Sequence, residues 1–403
     1  MSDRPEVLVV GGGPAGSATA FHLARLGHQV VLVDKAAFPR EKPCSEYLSP
    51  EAVRHLAGIG VLEDLERAGG QPLFGTTVFG PRGARLTGRF AETVVRPFRD
   101  AGLSVSRRIL DQRLLDAARV AGVTVRERSA VEELIYEQGA IAGAVVREAN
   151  GGTRLIRARV TVGADGLHSL VARRLGRRRH LAPSRIAFVA HVAGVPGLEG
   201  IAEMHVGDAG YVGLNRIATG IANVALVVPR HLARAARGDA AGYFFRTLDT
   251  LPGVRGRVRA DQLVREVLVT GPFAAWSGRV TADGGLLVGD AADFFDPFTG
   301  EGICSALHGA ALAATTLNEV LAHPGPVRAA ALAPYRARRR AAFLGKWAIE
   351  RLVGYGMLVP ALFDRAVARL ERRGLGHTFI GVTADYVPAR AVLNPWFLSR
   401  MVL

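Results

Sequence analysis

The chain has 403 residues, 49% of them apolar and 22% charged, which excludes a disordered or fibrous protein and leaves room for two or three domains with a sizeable core. Lys and Arg number 51 against 36 Asp and Glu, a formal net charge of +15 that suits anionic cofactors, acidic partners or membrane surfaces. A nucleic-acid role is not expected, because the basic runs 173–180 and 336–340 have no interleaved aromatics to stack on bases.

The N-terminal stretch MSDRPEVLVVGGG runs straight into a strand with no charged-then-apolar leader, and no apolar run reaches the ~18 residues of a spanning helix. Cys44 and Cys304 make neither a disulfide framework nor a metal-ligand spacing, so a cytoplasmic protein without a metal is expected. The β-branched run Val7 to Val10 stops at glycines, an amphipathic helical segment follows, and a second run, Val30 to Val33, ends on Asp34. This is a βαβ unit with Gly11, Gly13 and Gly16 in the spacing G-x-G-x-x-G. Gly11 permits the tight turn, Gly13 lets a pyrophosphate reach the backbone, Gly16 lets helix and strand pack, and Asp34 is placed for a ribose hydroxyl. A dinucleotide site follows.

Further along, Ser104 to Val125 reads as an amphipathic helix, ending at Gly122 before a strand, with Arg107 and Arg108 just ahead of it. Arg107 is either a bidentate phosphate clamp or a surface arginine. The segment RVTVGADGLHSLVARRLG gives a second strand, turn and helix around Asp165. Between Arg185 and Thr270 the pattern changes to alternating strands separated by Gly and Asn turns, and Thr76 to Phe90 has the same period and is expected in the same sheet. Then GGLLVGDAADFFDPFTGEGI gives a buried strand, Gly289-Asp290, a loop containing Pro297, and a helix expected to begin near Gly300. The C-terminal stretch Lys346 to Leu370 has apolar residues at helical spacing. It packs on the sheet or, alternatively, offers a basic amphipathic surface to membranes.

An N-terminal GxGxxG, a mid-chain GADG and a late GDAA with a Pro-Gly loop, in that order, resemble the FAD-dependent oxidoreductases of the p-hydroxybenzoate hydroxylase-like superfamily, the group A flavin monooxygenases. FPREKPCSEYLSP with DPFTGEGI is more specifically similar to the geranylgeranyl reductase branch. The motifs cover residues 1 to about 180 and 280 to 320. The resemblance implies an α/β fold: a Rossmann-like FAD-binding domain of the GR2 type (1–72, 98–180 and 276–330), an inserted antiparallel-sheet substrate domain (73–97 and 181–275) and a C-terminal helical region (331–403). It further implies FAD, bound by Gly11, Gly13, Pro14, Ala15, Gly16, Asp34, Lys35, Arg107, Asp165, Gly289, Asp290, Pro297, Gly300, Gly302 and Ile303. Asp165 would lie beside the phosphate channel and Asp290 would bond a ribityl hydroxyl. Where relatives often carry Arg this chain has Ala172, for which Arg173 or Arg174 would substitute.

A helix N-terminus near Gly300 would stabilise negative charge on the reduced ring. Glu301 is therefore expected to turn away and cap its own helix, a place in the active site being the alternative. By the same resemblance the loop carrying Cys44, Glu46 and Tyr47 lies over the flavin, which makes these three the candidate catalytic residues. Cys44 would act as proton donor or covalent tether, or else be a small packed residue. A single dinucleotide unit implies that NAD(P)H, or a reductase partner, visits transiently as electron donor. The leading expectation is a monooxygenase hydroxylating an apolar aromatic or polyketide-like molecule through a flavin hydroperoxide. The alternative is a reductase of isoprenoid or lipid double bonds. Against the latter stands YVGLNRI, where Gly213, Asn215 and Arg216 replace residues of the aromatic Tyr-x-Trp-x-Phe-Pro strand of geranylgeranyl reductases. A halogenase lacks support because its Trp-x-Trp-x-Ile-Pro motif is missing, and a non-catalytic electron-transfer protein is the remaining reading.

Overall fold

Why the first unit folds as read is visible in a computed structural model, which describes residues 4–176 and 178–402. Met1 to Asp3 of the N-terminal stretch, Arg177 of the basic run and Leu403 lie outside the described residues. Val7–Val10 and Val30–Val33 pair in parallel, and all eight residues are buried. Such a doubly apolar strand needs cover on both faces. Val7 and Val9 face the helices Pro14–Arg25 (α1) and, further along the chain, 107–120 and 302–321. Leu8 and Val10 face the meander Ala130–Glu137, Ala140–Arg147 and Thr153–Arg157, which was not foreseen from the sequence.

The sheet is completed by Thr124–Arg126 on one side and by Val160–Gly163, Gly285–Leu287 and Thr281–Ala282 on the other. Gly285–Leu287 lies parallel to Val160–Gly163, which pairs in turn with Val7–Val10. Three glycine-bearing turns far apart in sequence thus leave the same end of one sheet. They touch: a Cβ on Gly289 would stand 2.8 Å from Cβ of Ala15 at the start of α1.

The remaining helices in chain order are Pro50–Ile59 (α2), Leu62–Arg67 (α3), Arg107–Val120 (α4), Leu170–Leu175 (α5), Ala240–Leu248 (α6), Gly302–Leu321 (α7), Ala333–Gly356 (α8), Pro360–Arg372 (α9), Gly376–Thr383 (α10) and Pro395–Val402 (α11). Two expectations change. Arg107 is the first residue of α4 rather than a residue ahead of it, because Gly102–Ser104 is a strand. The late helix begins at Gly302, since Gly300 (φ 73°) closes a 3-10 turn over Pro297–Thr299.

The second sheet has seven strands in the order Leu263–Thr270, Arg185–Ala193, Ile221–Pro229, Gly210–Ala218, Ile201–Gly207, Gly75–Phe79 and Arg85–Arg89. It is antiparallel except where Ile201–Gly207 runs parallel to Gly75–Phe79. Alternation sends Phe188, Ala190 and Val192 to the face covered by α6, and Ala187 and Val189 to the opposite face. That opposite face meets the loops around Tyr47 and Phe298 and the C-terminal helices. α10 packs so tightly on Arg85–Arg89 that a Cβ on Gly88 would stand 2.3 Å from Ile380. No helix among the described residues is long and apolar enough to cross a membrane.

Candidate active site

The first turn is built by exclusion of side chains. A Cβ on Gly16 would fall 1.8 Å from the Gly11 carbonyl oxygen, and one on Gly11 (φ 104°) 2.5 Å from that of Ala164. Only glycine fits either place. Pro14 opens α1, where its missing N–H costs nothing. Asp34 is buried and holds the turn, accepting from Gly12 N–H at 2.6 Å and Ala36 N–H at 2.8 Å. Its remaining lone pairs stay free for a ribose hydroxyl. Lys35 beside it is exposed.

Gly13 is different, because the space over it is open but ringed by charge. The atoms nearest to a Cβ there are guanidinium nitrogens of Arg40, at 3.5 Å, and Arg107, at 3.8 Å. Arg107 is buried and forked onto Asp111 through Nε (2.7 Å) and Nη2 (2.8 Å), and Arg40 reaches the same carboxylate at 3.0 Å. Burial disfavours the charge of Arg107, but the Asp111 carboxylate outweighs it and holds the guanidinium charged. The clamp expected of Arg107 is thus anchored by Asp111 before any ligand arrives. Lys42 joins the group, its pKa lowered first by burial and then by Arg107, Arg40 and Lys35, with Asp290 opposing. Cations crowded at a helix N-terminus over a bare glycine are the environment a pyrophosphate relieves, so the residues present fit a dinucleotide.

The mid-chain turn contributes differently from the expectation. Asp165 spends its carboxylate on its own helix, accepting from Ser169 Oγ and from the N–H groups of Leu170 (2.7 Å) and Val171 (3.3 Å). Its backbone, not its side chain, lies against the cofactor turn. Ala172 is buried in α5, while Arg173 and Arg174 are exposed, so neither takes the missing arginine's place. The arginine that points inward is Arg178, which sequence reasoning missed. It donates to the carbonyls of Leu167, Asp290 and Ala291, tying the second turn to the third.

In that third turn Asp290 is half-buried, and its carboxyl is pushed up to about 6 by burial, with Arg107, Lys42 and Arg178 working against the shift. Asp296 fastens the loop to the second sheet: its carboxylate pairs with buried Arg185, accepts from Tyr211 Oη at 2.6 Å and caps Phe298 N–H at 3.1 Å. Gly300 lies against the Tyr47 ring, 2.8 Å from where a Cβ would stand, and Gly302 against Phe294 at 3.2 Å. Ile303 is a core residue packed with α2.

Glu301 corrects the sequence reading most. It occupies the cap position of α7, yet its side chain caps nothing there. The carboxyl is 2% exposed and accepts from Ser49 Oγ at 3.0 Å through one oxygen, while the other has no hydrogen-bond partner among the described residues. Burial, reinforced by Asp385 and opposed by Lys346, pushes it up to about 8. The folded protein therefore keeps a proton that the unfolded chain has released between about 4.5 and about 8, and stability falls as pH rises through that window. Glu301→Gln, neutral at every pH, is expected to melt progressively higher than the parent as pH passes through it. Melting curves that run parallel in pH would refute the assignment.

The loop carrying Cys44, Glu46 and Tyr47 is pinned to the second sheet by a row that sequence reasoning also missed. Arg265, His191, Asn223 and Asn215 are successive cross-strand partners on four adjacent strands. Arg265 bonds Glu41 (3.0 Å), His191 Nε2 bonds Glu46 (2.8 Å), Asn223 donates to the carbonyls of Cys44 (3.1 Å) and Ser45 (2.8 Å), and Asn215 donates to Ser104, whose hydroxyl donates in turn to the Glu46 carbonyl at 3.0 Å. Glu46 sits at φ 56°, its other carboxylate oxygen accepting from Arg107 N–H at 2.8 Å. Such a left-handed non-glycine survives only where neighbours over-determine it. Cys44 is half-buried, and burial pushes its thiol up, so it is held protonated. The Tyr47 hydroxyl is likewise pushed up by burial and by Glu301. The signal available in the sequence was a polar residue interrupting each of the largely apolar runs RIAFVAHVA, IANVALVVP and GYVGLNRIA, at His191, Asn223 and Asn215.

A glycine turn with a cationic seat, a second loop fastened near it and a sheet closing over both define an FAD-dependent oxidoreductase, a class the comparisons support. Residues 4–212 match the FAD binding domain family. The chain belongs to that family. It is 30% identical over 383 residues to digeranylgeranylglycerophospholipid reductase 2 of Methanothermobacter thermautotrophicus, covering 91% of each chain. It is 30% identical over 340 residues to menaquinone reductase of Mycobacterium tuberculosis, covering 79% of this chain and 78% of that one. In fold it is similar to the myxobacterial chondrochloren halogenase, with a TM-score of 0.81, 24% identity, and coverage of 100% of this chain and 95% of the other.

Proposed function

We propose that this flavoenzyme is a reductase that saturates double bonds in an apolar, isoprenoid-type substrate, with NAD(P)H as electron donor. The observation that carries the reading is the place of the Cys44 thiol, half-buried in a loop whose Cys44 and Ser45 carbonyls are held by Asn223 of the second sheet; burial pushes that thiol up, so it keeps its proton. Adding hydride to one carbon of a double bond requires a proton for the other, and a protonated thiol held at the site provides it. Bound FAD, once reduced by NAD(P)H, would supply the hydride. Arg40, Lys42 and Arg107 would hold its pyrophosphate, the Tyr211–Asp296–Arg185 set fastens the loop that would face its ring, and the polar row sets where Cys44 stands.

Relatives named as reductases, similar along most of the chain, support this order of readings over the hydroxylation-first order expected from the sequence. Exposed Tyr355, Leu358, Val359 and Leu362 near the α8–α9 junction support collection of the substrate from a membrane surface. A second reading, hydroxylation of a small aromatic or polyketide-like molecule, is favoured by Gly213 and Asn215, which stand where the geranylgeranyl reductases that the chain resembles carry aromatic residues.

Anaerobic turnover separates the two. With reduced protein and a polyprenol, product is expected without oxygen, and Cys44→Ser is expected to keep its FAD while kcat falls roughly a hundredfold. Product that forms only in air would transfer the assignment to hydroxylation. Undiminished turnover in Cys44→Ser would take the proton away from the thiol.

A further inference from the structure

The outer side of α8 carries a groove of about 800 Å³ that no residue of the cofactor turn lines, a size within the range of ligand sites. Its floor holds Trp276 and Trp347, edge to face with ring centroids 4.9 Å apart. Around them stand Arg279, Arg336, Arg340 and Arg351. None of these four has a carboxylate within ion-pairing distance among the described residues, although most of the chain's other acids are already paired. Arg336 donates only to Thr281 Oγ1 and the Ala329 carbonyl, and Arg351 to the Trp347 carbonyl. The Arg351 guanidinium lies over the Trp276 ring, 5.5 Å from its centroid.

We infer that this groove binds a phosphate-bearing aromatic dinucleotide, the electron donor NADPH, with the arginines on its phosphates and the tryptophan–arginine floor under its base. The inference rests on the reading of the protein as an NAD(P)H-dependent flavoenzyme. Uncompensated guanidinium forks match phosphate oxygens two at a time, and arginine-backed indoles stack planar rings. A lone phosphate would leave the tryptophans unused, and a flat lipid surface would not reach a recessed floor. Four unpaired arginines exceed what one pyrophosphate takes up, which favours the dinucleotide with the additional ribose phosphate.

The groove also touches the cofactor loop. Its inner wall, Arg339 and Trp347, is bonded to the two oxygens of Asp293, three residues beyond Asp290, with the indole N–H at 3.1 Å. A ligand seated there is one side chain away from the loop that addresses FAD.

The test uses the FAD-loaded protein and oxidised NADP, which binds without turnover. Oxidised NADP is expected to quench tryptophan fluorescence, oxidised NAD to do so more weakly, and inorganic pyrophosphate to compete. Arg279→Ala with Arg340→Ala removes two exposed side chains, so flavin content and melting temperature report intact folding. The double variant is expected to bind oxidised NADP at least about tenfold more weakly and to raise the KM for NADPH in step. Parent-like affinity in that variant would overturn the assignment. So would arginine-dependent sedimentation with phosphatidylglycerol vesicles that oxidised NADP does not compete, which would mark the groove as a headgroup site. Turnover driven by dithionite tests the reductase reading separately: its failure, with NADP binding intact, would leave the groove standing and remove the substrate assignment.

Discussion

Gly13→Asp is expected to give a folded, colourless protein. Gly13 has φ −73° and ψ −176°, a conformation open to any residue, and nothing but the two guanidinium groups stands within 4 Å of a Cβ there. An aspartate at this position caps α1 and pairs with Arg40 and Arg107, so the apoprotein should melt at or slightly above the parent's temperature. The same carboxylate occupies the seat of the pyrophosphate and repels it. At about 4 Å and an effective dielectric near 20 two like charges cost about 4 kcal/mol, so FAD affinity should fall by two to three orders of magnitude. Gly11 and Gly16 are poorer probes, because a side chain at either collides with backbone and the turn itself fails. Flavin absorbance of the purified protein, read beside its melting curve, decides. Yellow Gly13→Asp protein with FAD in normal amount would show that the pyrophosphate lies elsewhere.

Asp296→Ala is expected to destabilise the protein by about 3–5 kcal/mol, the range for stranding one partner of a buried ion pair. Arg185 is 4% exposed, and its other bond is to the Gly354 carbonyl at 3.0 Å, which cannot neutralise it. The Tyr211 hydroxyl and Phe298 N–H lose their acceptor in the same change. Because this carboxylate joins the loop before α7 to the second sheet, melting temperature and FAD retention should fall together. Asp296→Asn keeps an acceptor oxygen and should cost less. Replacing Asp296 and Arg185 together by apolar residues should cost less than Asp296→Ala alone, since no buried charge is then left behind. A melting temperature within a degree or two of the parent's for Asp296→Ala would mean that water reaches Arg185 and that the loop is held by other contacts.

The candidate site was legible in unequal parts. The Gly11–Gly16 turn with Asp34 was readable because strand, turn and helix follow one another within thirty residues or so, and each demand falls on a neighbour in sequence. Glu301 was misread for the opposite reason. Capping is a local rule, and a carboxylate next to a helix start normally obeys it, but Ser49 at the start of α2 takes the side chain and Lys346 of α8 takes the Glu301 carbonyl. Arg178 was overlooked because its value lies in three carbonyls supplied by two separate turns. The C-terminal stretch was recognisable as helical from its period, whereas the break between α8 and α9 and the contact of Ile380 with Gly88 depend on a partner more than two hundred residues away.

What the sequence alone determined about this protein is its local alphabet: the parallel-sheet strands by their unbroken apolar runs, the second sheet by alternation, and the dinucleotide turn by the spacing of its glycines, of which Gly11 and Gly16 tolerate no Cβ. Those features arise from sterics and burial within a few residues of chain. Tertiary structure alone decided that Arg265, His191, Asn223 and Asn215 stand abreast and hold the Cys44 loop. The physical reason is register. A shift of one residue in any strand would turn its polar group to the opposite face, and register is fixed by pairing and packing between distant segments.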